Sequence, residues 1–228
     1  MAASGFDDIG ACVFDAYGTL LDFNSAVERR RDRIGARADE MSALWRQKQL
    51  QYTWLRSLMG RFVDFWHVTG EALEFSMKEV GLDDPALRAE LMQLYLSLDP
   101  FPDARDCLAR VKQAGARTAI LSNGSMTMLV AAVKNAGLDD LVDAIYSVDR
   151  TEIFKPHHSV YQMPVDELKL PAHRICFLSA NGWDAHGGAA FGFRTAWINR
   201  AGQTAEVLPG DVQAELSSLA ELPALLGA

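Results

Sequence analysis

Short apolar runs of strand length alternate with helical patterns along this chain, and that alternation leaves few folds open. The runs are Ile9–Phe14, Arg117–Leu121, Ala144–Val148, Arg174–Ser179 and Thr195–Asn199. Helical patterns accompany the last four, over Asp103–Ala114, Ser125–Ala136, Ser159–Leu168 and Ala185–Phe191. Gly115, Gly137 and Gly192 each stand just past a helix, where a C-cap glycine belongs. Strand and helix at this spacing predict a parallel sheet covered on both faces, an α/β fold with a Rossmann-like core.

Residues 24–97 break the alternation. They hold no convincing strand and read as about four helices, which predicts a helical cap inserted after the first strand. The domain division is then 1–23 with 98–228 as core, and 24–97 as cap. Asp99-Pro100-Phe101-Pro102 reads as a stiff, proline-marked hinge between them. Within the cap, Met41, Leu44, Trp45, Lys48, Tyr52, Leu55 and Met59 share one helical face over Ala38–Gly60. Leu50, Trp54 and Leu58 fall on another side, beside Arg46, Thr53 and Ser57. A helix apolar on two sides is covered on two sides. One face is expected to pack into the cap, the other to carry Arg46 and Leu50 to the cleft over the sheet.

Polar side chains gather at the carboxyl ends of four strands, where open parallel sheets bind ligands. They are Asp15 before Ala16-Tyr17-Gly18-Thr19, Ser122-Asn123 after the second core strand, Lys155 in Phe154-Lys155-Pro156, and Ser179-Ala180-Asn181-Gly182-Trp183-Asp184. Each alone has a plain reading: a loop-capping Asp, a polar turn, a solvated Lys, a helix cap beside a buried Trp. Four together at successive sheet termini describe a site. Gly18 lets the chain turn sharply, and the amides after Asp15 can form an anion-binding nest. A cation from Lys155 near Asp15 would keep that carboxylate ionised and nucleophilic.

Charge and cysteine content narrow the partners. A net charge of -8 argues against nucleic acid and against an anionic membrane surface. No run is long and apolar enough to span a bilayer, and MAASGFDD lacks a signal-peptide pattern. Cys12, Cys107 and Cys176 are odd in number and widely spaced, so buried reduced thiols in a cytoplasmic protein are expected. His157, His158 and His186 do not form a credible metal set.

Over nearly its whole length the chain resembles the L-2-haloacid dehalogenases, the type II halocarboxylic acid dehalogenases of the haloacid dehalogenase superfamily. The resemblance rests on FDAYGTLLD, LWRQKQLQYTWLRSLM, LSNGS, FKP, VYQ, SANGWDA and FGFRTAWINR. It implies a metal-free, cofactor-free homodimer that converts short L-2-haloalkanoic acids to D-2-hydroxyalkanoic acids. Its partners would be a small anionic 2-haloacid and the released halide.

Most members of the superfamily are magnesium phosphatases with a second Asp two residues after the first. Tyr17 stands there instead. A tyrosine cannot serve as the acid that protonates a leaving alkoxide at neutral pH. A departing halide needs no such acid, which disfavours the alternative of a magnesium-dependent phosphatase or phosphonatase.

By resemblance, Asp15 is the nucleophile and Thr19 its loop partner. Arg46 and Asn123 take the halide, and Ser122 with the amides of Ala16 and Tyr17 holds the substrate carboxylate. Leu50, Phe65 and Trp183 surround the alkyl group. Lys155, Tyr161, Ser179, Asn181 and Asp184 complete the polar set, Asp184 serving as base for the second step. Ala180 and His186 depart from the family pattern, and Pro164 is expected to kink the helix that carries Tyr161.

Overall fold

Ala11–Phe14 (β1) is buried at every residue, as a strand sandwiched between helical layers must be. The computed structural model describes residues 5–227. After β1 come Leu21–Asp22 (β2) and five helices: Ser25–Glu28 (α1), Arg31–Ile34 (α2), Ala38–Met59 (α3), Phe65–Glu79 (α4) and Pro85–Leu94 (α5). The chain returns through Asp99–Pro100 (β3) and Ala104–Gln113 (α6) to Arg117–Ser122 (β4), Met126–Asn135 (α7) and Ala144–Ser147 (β5). It closes with His158–Leu168 (α8), Ile175–Ser179 (β6), Gly182–Phe191 (α9), Arg194–Ile198 (β7), Ala214–Leu216 (β8) and Leu222–Leu225 (α10).

Six strands form one sheet in the order β5-β4-β1-β6-β7-β8, with every pairing parallel. Phe14 lies level with Ile120 on one side and Leu178 on the other. Asp15, Ser122 and Ser179 therefore leave the same edge of the sheet within two residues of one another. The core strands stand where the alternating pattern put them. The sequence reading missed β8, because Ala-Glu-Leu is too short and too polar to register as an apolar run.

The segment 99–102 is more than a proline hinge. Asp99 and Pro100 pair antiparallel with Leu21 and Asp22, so both chain crossings between sheet and helices run through one two-stranded ribbon. Ser25 reinforces it, its hydroxyl accepting from the Asp99 amide at 3.0 Å and donating to the Asp22 carbonyl at 2.7 Å. Side-chain caps set several helix starts. Asp64 caps α4, Asp84 caps α5 and Ser125 caps α7, each accepting from an amide three residues on.

The expected faces of α3 need correction. Met41 and Trp45 are buried, but Leu55, Leu58 and Met59 are exposed, Leu58 to 85%. The covered stripe runs instead through Ala38, Met41, Ser42, Trp45, Gln49 and Thr53. Three of those are polar, so a count of apolar residues points away from them. Each is satisfied: Gln49 donates to Thr69 at 3.0 Å and accepts from the Tyr95 hydroxyl at 3.2 Å. Ser42 donates to Asn24 and Thr53 to the Leu50 carbonyl. Buried polar groups that find partners avoid the desolvation penalty.

Pro164 sits inside α8, which continues through it to Leu168. The amide it lacks would have met the Val160 carbonyl, so the turn that holds Tyr161 is short of one backbone bond. On the neighbouring helix, glycine at 187 and 188 lets α9 lie directly against the core. A Cβ at Gly188 would sit 2.5 Å from the buried ring of Phe177, and one at Gly187 would strike the Tyr161 hydroxyl. That close approach places the first turn of α9 over the end of β6.

Candidate active site

Asp15 follows β1 directly and is held on both carboxylate oxygens. Oδ1 accepts from Lys155 Nζ at 3.2 Å, and Oδ2 accepts from Asn181 Nδ2 at 2.8 Å and Thr19 Oγ1 at 3.3 Å. Its amide donates to the Leu178 carbonyl at 2.8 Å. Thr19 is fixed in turn, its hydroxyl accepting from the Ala180 amide at 2.8 Å. Gly18 adopts a positive φ of 92°, which folds the loop so that the amides of Thr19, Leu20 and Leu21 all reach the Ala16 carbonyl. Among the described residues, the amides of Ala16 and Tyr17 donate to no protein acceptor. They remain available to an anion.

Lys155 is 1% exposed and bridges two carboxylates, donating to Asp184 Oδ2 at 2.8 Å as well as to Asp15. Its amide donates to Asn123 Oδ1 at 2.9 Å, which ties the β4 end to the Lys155 loop. Asp184, in the first turn of α9, also accepts from the Tyr161 hydroxyl at 2.8 Å. Burial drives the Asp184 carboxyl above its usual range, while the Lys155 charge pulls the other way. Burial also raises the Tyr161 phenol well above an ordinary tyrosine, and the Asp184 charge adds to it. Tyr17 is fully enclosed between Phe65 and Tyr95 and, for the same reason, its phenol stays neutral.

Arg46 reaches in from α3. Its Nη2 donates to Asn181 Oδ1 at 3.1 Å and lies 3.4 Å from the Tyr17 carbonyl, while its guanidinium rests 4.9 Å over the Phe23 ring. Among the described residues no carboxylate lies within ion-pair distance of it. Its Nε is buried without a partner. Arg46 is thus a cation with unspent charge, aimed at the same pocket as a carboxylate.

A small cavity of about 10 Å³ gathers Asp15, Tyr17, Arg46, Leu50, Phe65, Ser122, Asn123, Lys155, Asn181 and Trp183. That is about the room one water needs. Three residues of the sequence reading stand behind this wall. Ser179 is fully buried and accepts from the Asn181 amide at 3.1 Å, so it sets the loop. Asp184 and Tyr161 stand beyond Lys155 and act on the cavity through it. His186 turns away and bonds to the Gly210 carbonyl at 2.9 Å. Two supports went unread in the sequence. Trp54 packs edge-on to Trp183 with ring centres 5.4 Å apart, and Phe23 lies under Arg46. Trp54 carried a signal, since it shares the second face of α3 with Leu50; Phe23 carried none.

The thiols are buried and unpaired, and Cys12 on β1 lies level with Cys176 on β6. Contact with Cys176, followed by burial, pushes the Cys12 thiol up; burial does the same to Cys107. Among the described residues no three His, Cys, Asp or Glu side chains are grouped to hold a metal ion. No helix among them is long and apolar enough to cross a membrane.

Comparison with known proteins adds three findings. Residues 9–192 match the family model for haloacid dehalogenase-like hydrolases. (S)-2-haloacid dehalogenase 1 of Pseudomonas sp. (strain CBS-3) is 47% identical over 221 residues, 96% of this chain and 97% of that protein. (S)-2-haloacid dehalogenase 4A of Burkholderia cepacia is 45% identical, covering 96% of each. Among solved structures, the L-2-haloacid dehalogenase of Xanthobacter autotrophicus with chloropropionic acid covalently bound superposes with a TM-score of 0.90. It shares 37% identity and covers 96% of this chain and 99% of that one.

The buried charge cluster yields a stability test. Replacing Lys155 with Met leaves Asp15 and Asp184 without their shared cation, and a broken buried pair costs about 3–5 kcal/mol. Without the cation the burial of Asp184 is no longer offset, and its folded-state carboxyl stands further above its unfolded value. The penalty from Asp184 is then full at neutral pH and shrinks as acid protonates it. Urea unfolding of Lys155→Met at neutral and acidic pH reads this directly. Wild-type stability at neutral pH would show that Lys155 does not bridge ionised carboxylates.

Proposed function

This chain belongs to the haloacid dehalogenase-like hydrolases and, among them, to the (S)-2-haloacid dehalogenases, and we propose that it hydrolyses short L-2-haloalkanoic acids to D-2-hydroxyalkanoic acids through an ester on Asp15. The observation that carries this reading is the opposition of two charges across one small pocket. Asp15 stands on the sheet side, and Arg46, without a carboxylate of its own, stands on the helical side. In this reading the division into 1–23 with 98–228 as core and 24–97 as cap is kept, residues 1–4 and 228 lying outside the described residues.

In the first step an Asp15 oxygen attacks C2 from behind the carbon–halogen bond. The new carbon–oxygen bond forms as the halide departs with the bonding pair, and the centre inverts. Arg46 and the free amide of Asn123 receive the halide, stabilising charge where it develops. The substrate is itself an anion, so its carboxylate must be held against Asp15. Ser122 and the unspent amides of Ala16 and Tyr17 offer that hold. Leu50, Phe65 and Trp183 pack the alkyl group. The neutral Tyr17 phenol supplies no acid, and an outgoing halide requires none. The covalently bound chloropropionic acid of the Xanthobacter relative supports an ester of this kind.

In the second step water attacks the ester carbonyl of Asp15, releasing the hydroxyacid without touching C2 again. Asp184 takes one proton of that water and returns it to the alkoxide oxygen of the departing hydroxyacid as the ester C–O bond breaks; the water's second proton leaves when Asp15 ionises again. Lys155, bonded to Asp184 and facing the ester, passes its own proton across and takes that of the attacking water. A carboxyl raised by burial accepts a proton more readily than an ordinary one. Thr19, Ser179 and Asn181 hold the loops that aim Asp15.

Leu55, Leu58 and Met59 form an exposed apolar patch at the end of α3, beside a surface groove of about 670 Å³ that also takes in Tyr52 and Phe75. A second copy of the chain is the occupant this reading assigns, giving a homodimer through the cap.

A single turnover of L-2-chloropropionate in heavy-oxygen water is expected to leave the label on Asp15, with unlabelled D-lactate released. Label appearing in the first product would mean that water attacks the substrate itself, and halide release by Asp15→Asn would remove Asp15 from the nucleophile role. Tyr161→Phe takes a donor from ionised Asp184, so the acid limb of the kcat profile is expected to move to higher pH; an unmoved limb would detach Asp184 from that limb. Leu58→Glu places a charge in the apolar patch and is expected to give monomers by sedimentation, and a dimer unaffected by it would place the interface elsewhere.

A further inference from the structure

The pocket around Asp15 holds about one water, so a haloacid cannot enter it, nor a halide leave, without a wall side chain moving. Two larger cavities adjoin it. One, of about 490 Å³, lies between the Gly18–Asn24 loop, α3 and the segment after β7. Arg46, Leu50, Asn181 and Trp183 line both this cavity and the reaction pocket. The other, of about 320 Å³, lies beside α8 and α9 near His158 and His186, and shares Trp183 alone with the pocket.

We propose that the cavity on the Arg46 side is the anion passage of this enzyme, by which haloacid enters and halide leaves, with Arg46 as its inner gate and Phe23 as the positioning residue that supports it. Four residues line both spaces, so the pocket shares a longer wall with this cavity than with the other, where Trp183 alone is common. One of the four is the unpaired cation. A halide received by Arg46 in the pocket is already at the passage, and a small rotation of the guanidinium over Phe23 carries the contact from one space to the other. Among the described residues, Arg46 is the cation on the passage wall without a carboxylate partner. Arg200 is spent on Asp103, which it meets at 2.7 and 2.9 Å, and on the Thr19 carbonyl at 3.0 Å. Asp22 accepts from the Asn24 amide, and Glu206 lies in the exposed segment at the mouth. The inference rests on the dehalogenase reading for what passes, and on the cavities alone for where.

The buried thiols make a reversible plug possible. All three native cysteines are enclosed, so a cysteine placed at exposed Gln203, on the mouth of the passage, is the thiol that Ellman's reagent reaches in the folded protein. Among the described residues the Gln203 side chain has no hydrogen-bond partner, and its backbone meets Asn199. His158→Cys puts the same bulk and charge at the other cavity. Labelled Gln203→Cys is expected to lose about tenfold or more in kcat/KM for 2-bromopropionate and to recover on reduction, while labelled His158→Cys keeps its rate. An undiminished rate in labelled Gln203→Cys overturns the passage, as does a loss confined to labelled His158→Cys. Bromide soaked into crystals tests the route without turnover. Anomalous density against Arg46 on the passage side supports it even if no haloacid is hydrolysed, which would count against the dehalogenase reading alone. Bromide absent from that cavity overturns the passage.

Discussion

A buried ammonium shared by two carboxylates organises this molecule. Lys155 bridges Asp15 at the end of β1 and Asp184 at the start of α9. Removing three charges from water costs several kcal/mol each before any pairing is counted, so the cluster is a poor source of stability. What it secures is position. The sheet register brings β1 and β6 level, the close approach of α9 sets Asp184 above them, and Asn123 fixes the Lys155 amide. Each of these packing features has a consequence at one oxygen of Asp15.

Charge balance explains why the site needs contributions from both layers. Asp15 and Asp184 bring two formal negative charges, and Lys155 and Arg46 bring two positive ones. Lys155 is used up by its two partners. Arg46 is left for the incoming ligand, and it comes from α3, on the opposite side of the cleft from the sheet. A nucleophile and an uncommitted cation facing each other across a narrow pocket suit a displacement in which negative charge moves from one side to the other.

The layout of the sheet was legible in the sequence because its strands are fully buried and read as unbroken apolar runs. Lys155 lies eight residues past β5 and stood out only in Phe154-Lys155-Pro156, but Asp15, Ser122 and Asn123 were legible for a related reason. A polar residue directly after such a run must lie at a sheet edge, and the parallel order brings those edges together. The α3 helix was harder. Its buried stripe uses Ser42, Gln49 and Thr53, whose partners Asn24, Thr69, Tyr95 and the Leu50 carbonyl are, but for the last, distant in sequence. Apolar residues on the same helix are left exposed, so periodicity selected the wrong rows around Leu55 and Met59. Arg46 was singled out by resemblance and lines the pocket with Asp15, where helical phase alone could not separate it from a solvated arginine.

Phe23 and the ribbon of β2 with β3 show a second kind of limit. Two-residue strands have no periodicity, and a cation–π contact between residues 23 apart leaves no local trace. Yet these features decide how the helical layer meets the sheet. Both chain crossings pass through the ribbon, and Ser25 ties its strands together at Asp22 and Asp99. A stiff double connection restricts how far α3 can swing, which favours rearrangement of side chains over wide opening of the cleft. Four side chains line both the reaction pocket and the neighbouring cavity, so the proposed passage calls for side-chain movement there rather than movement of a domain. The same ribbon that aims Arg46 at Asp15 thereby makes Arg46 the natural moving part.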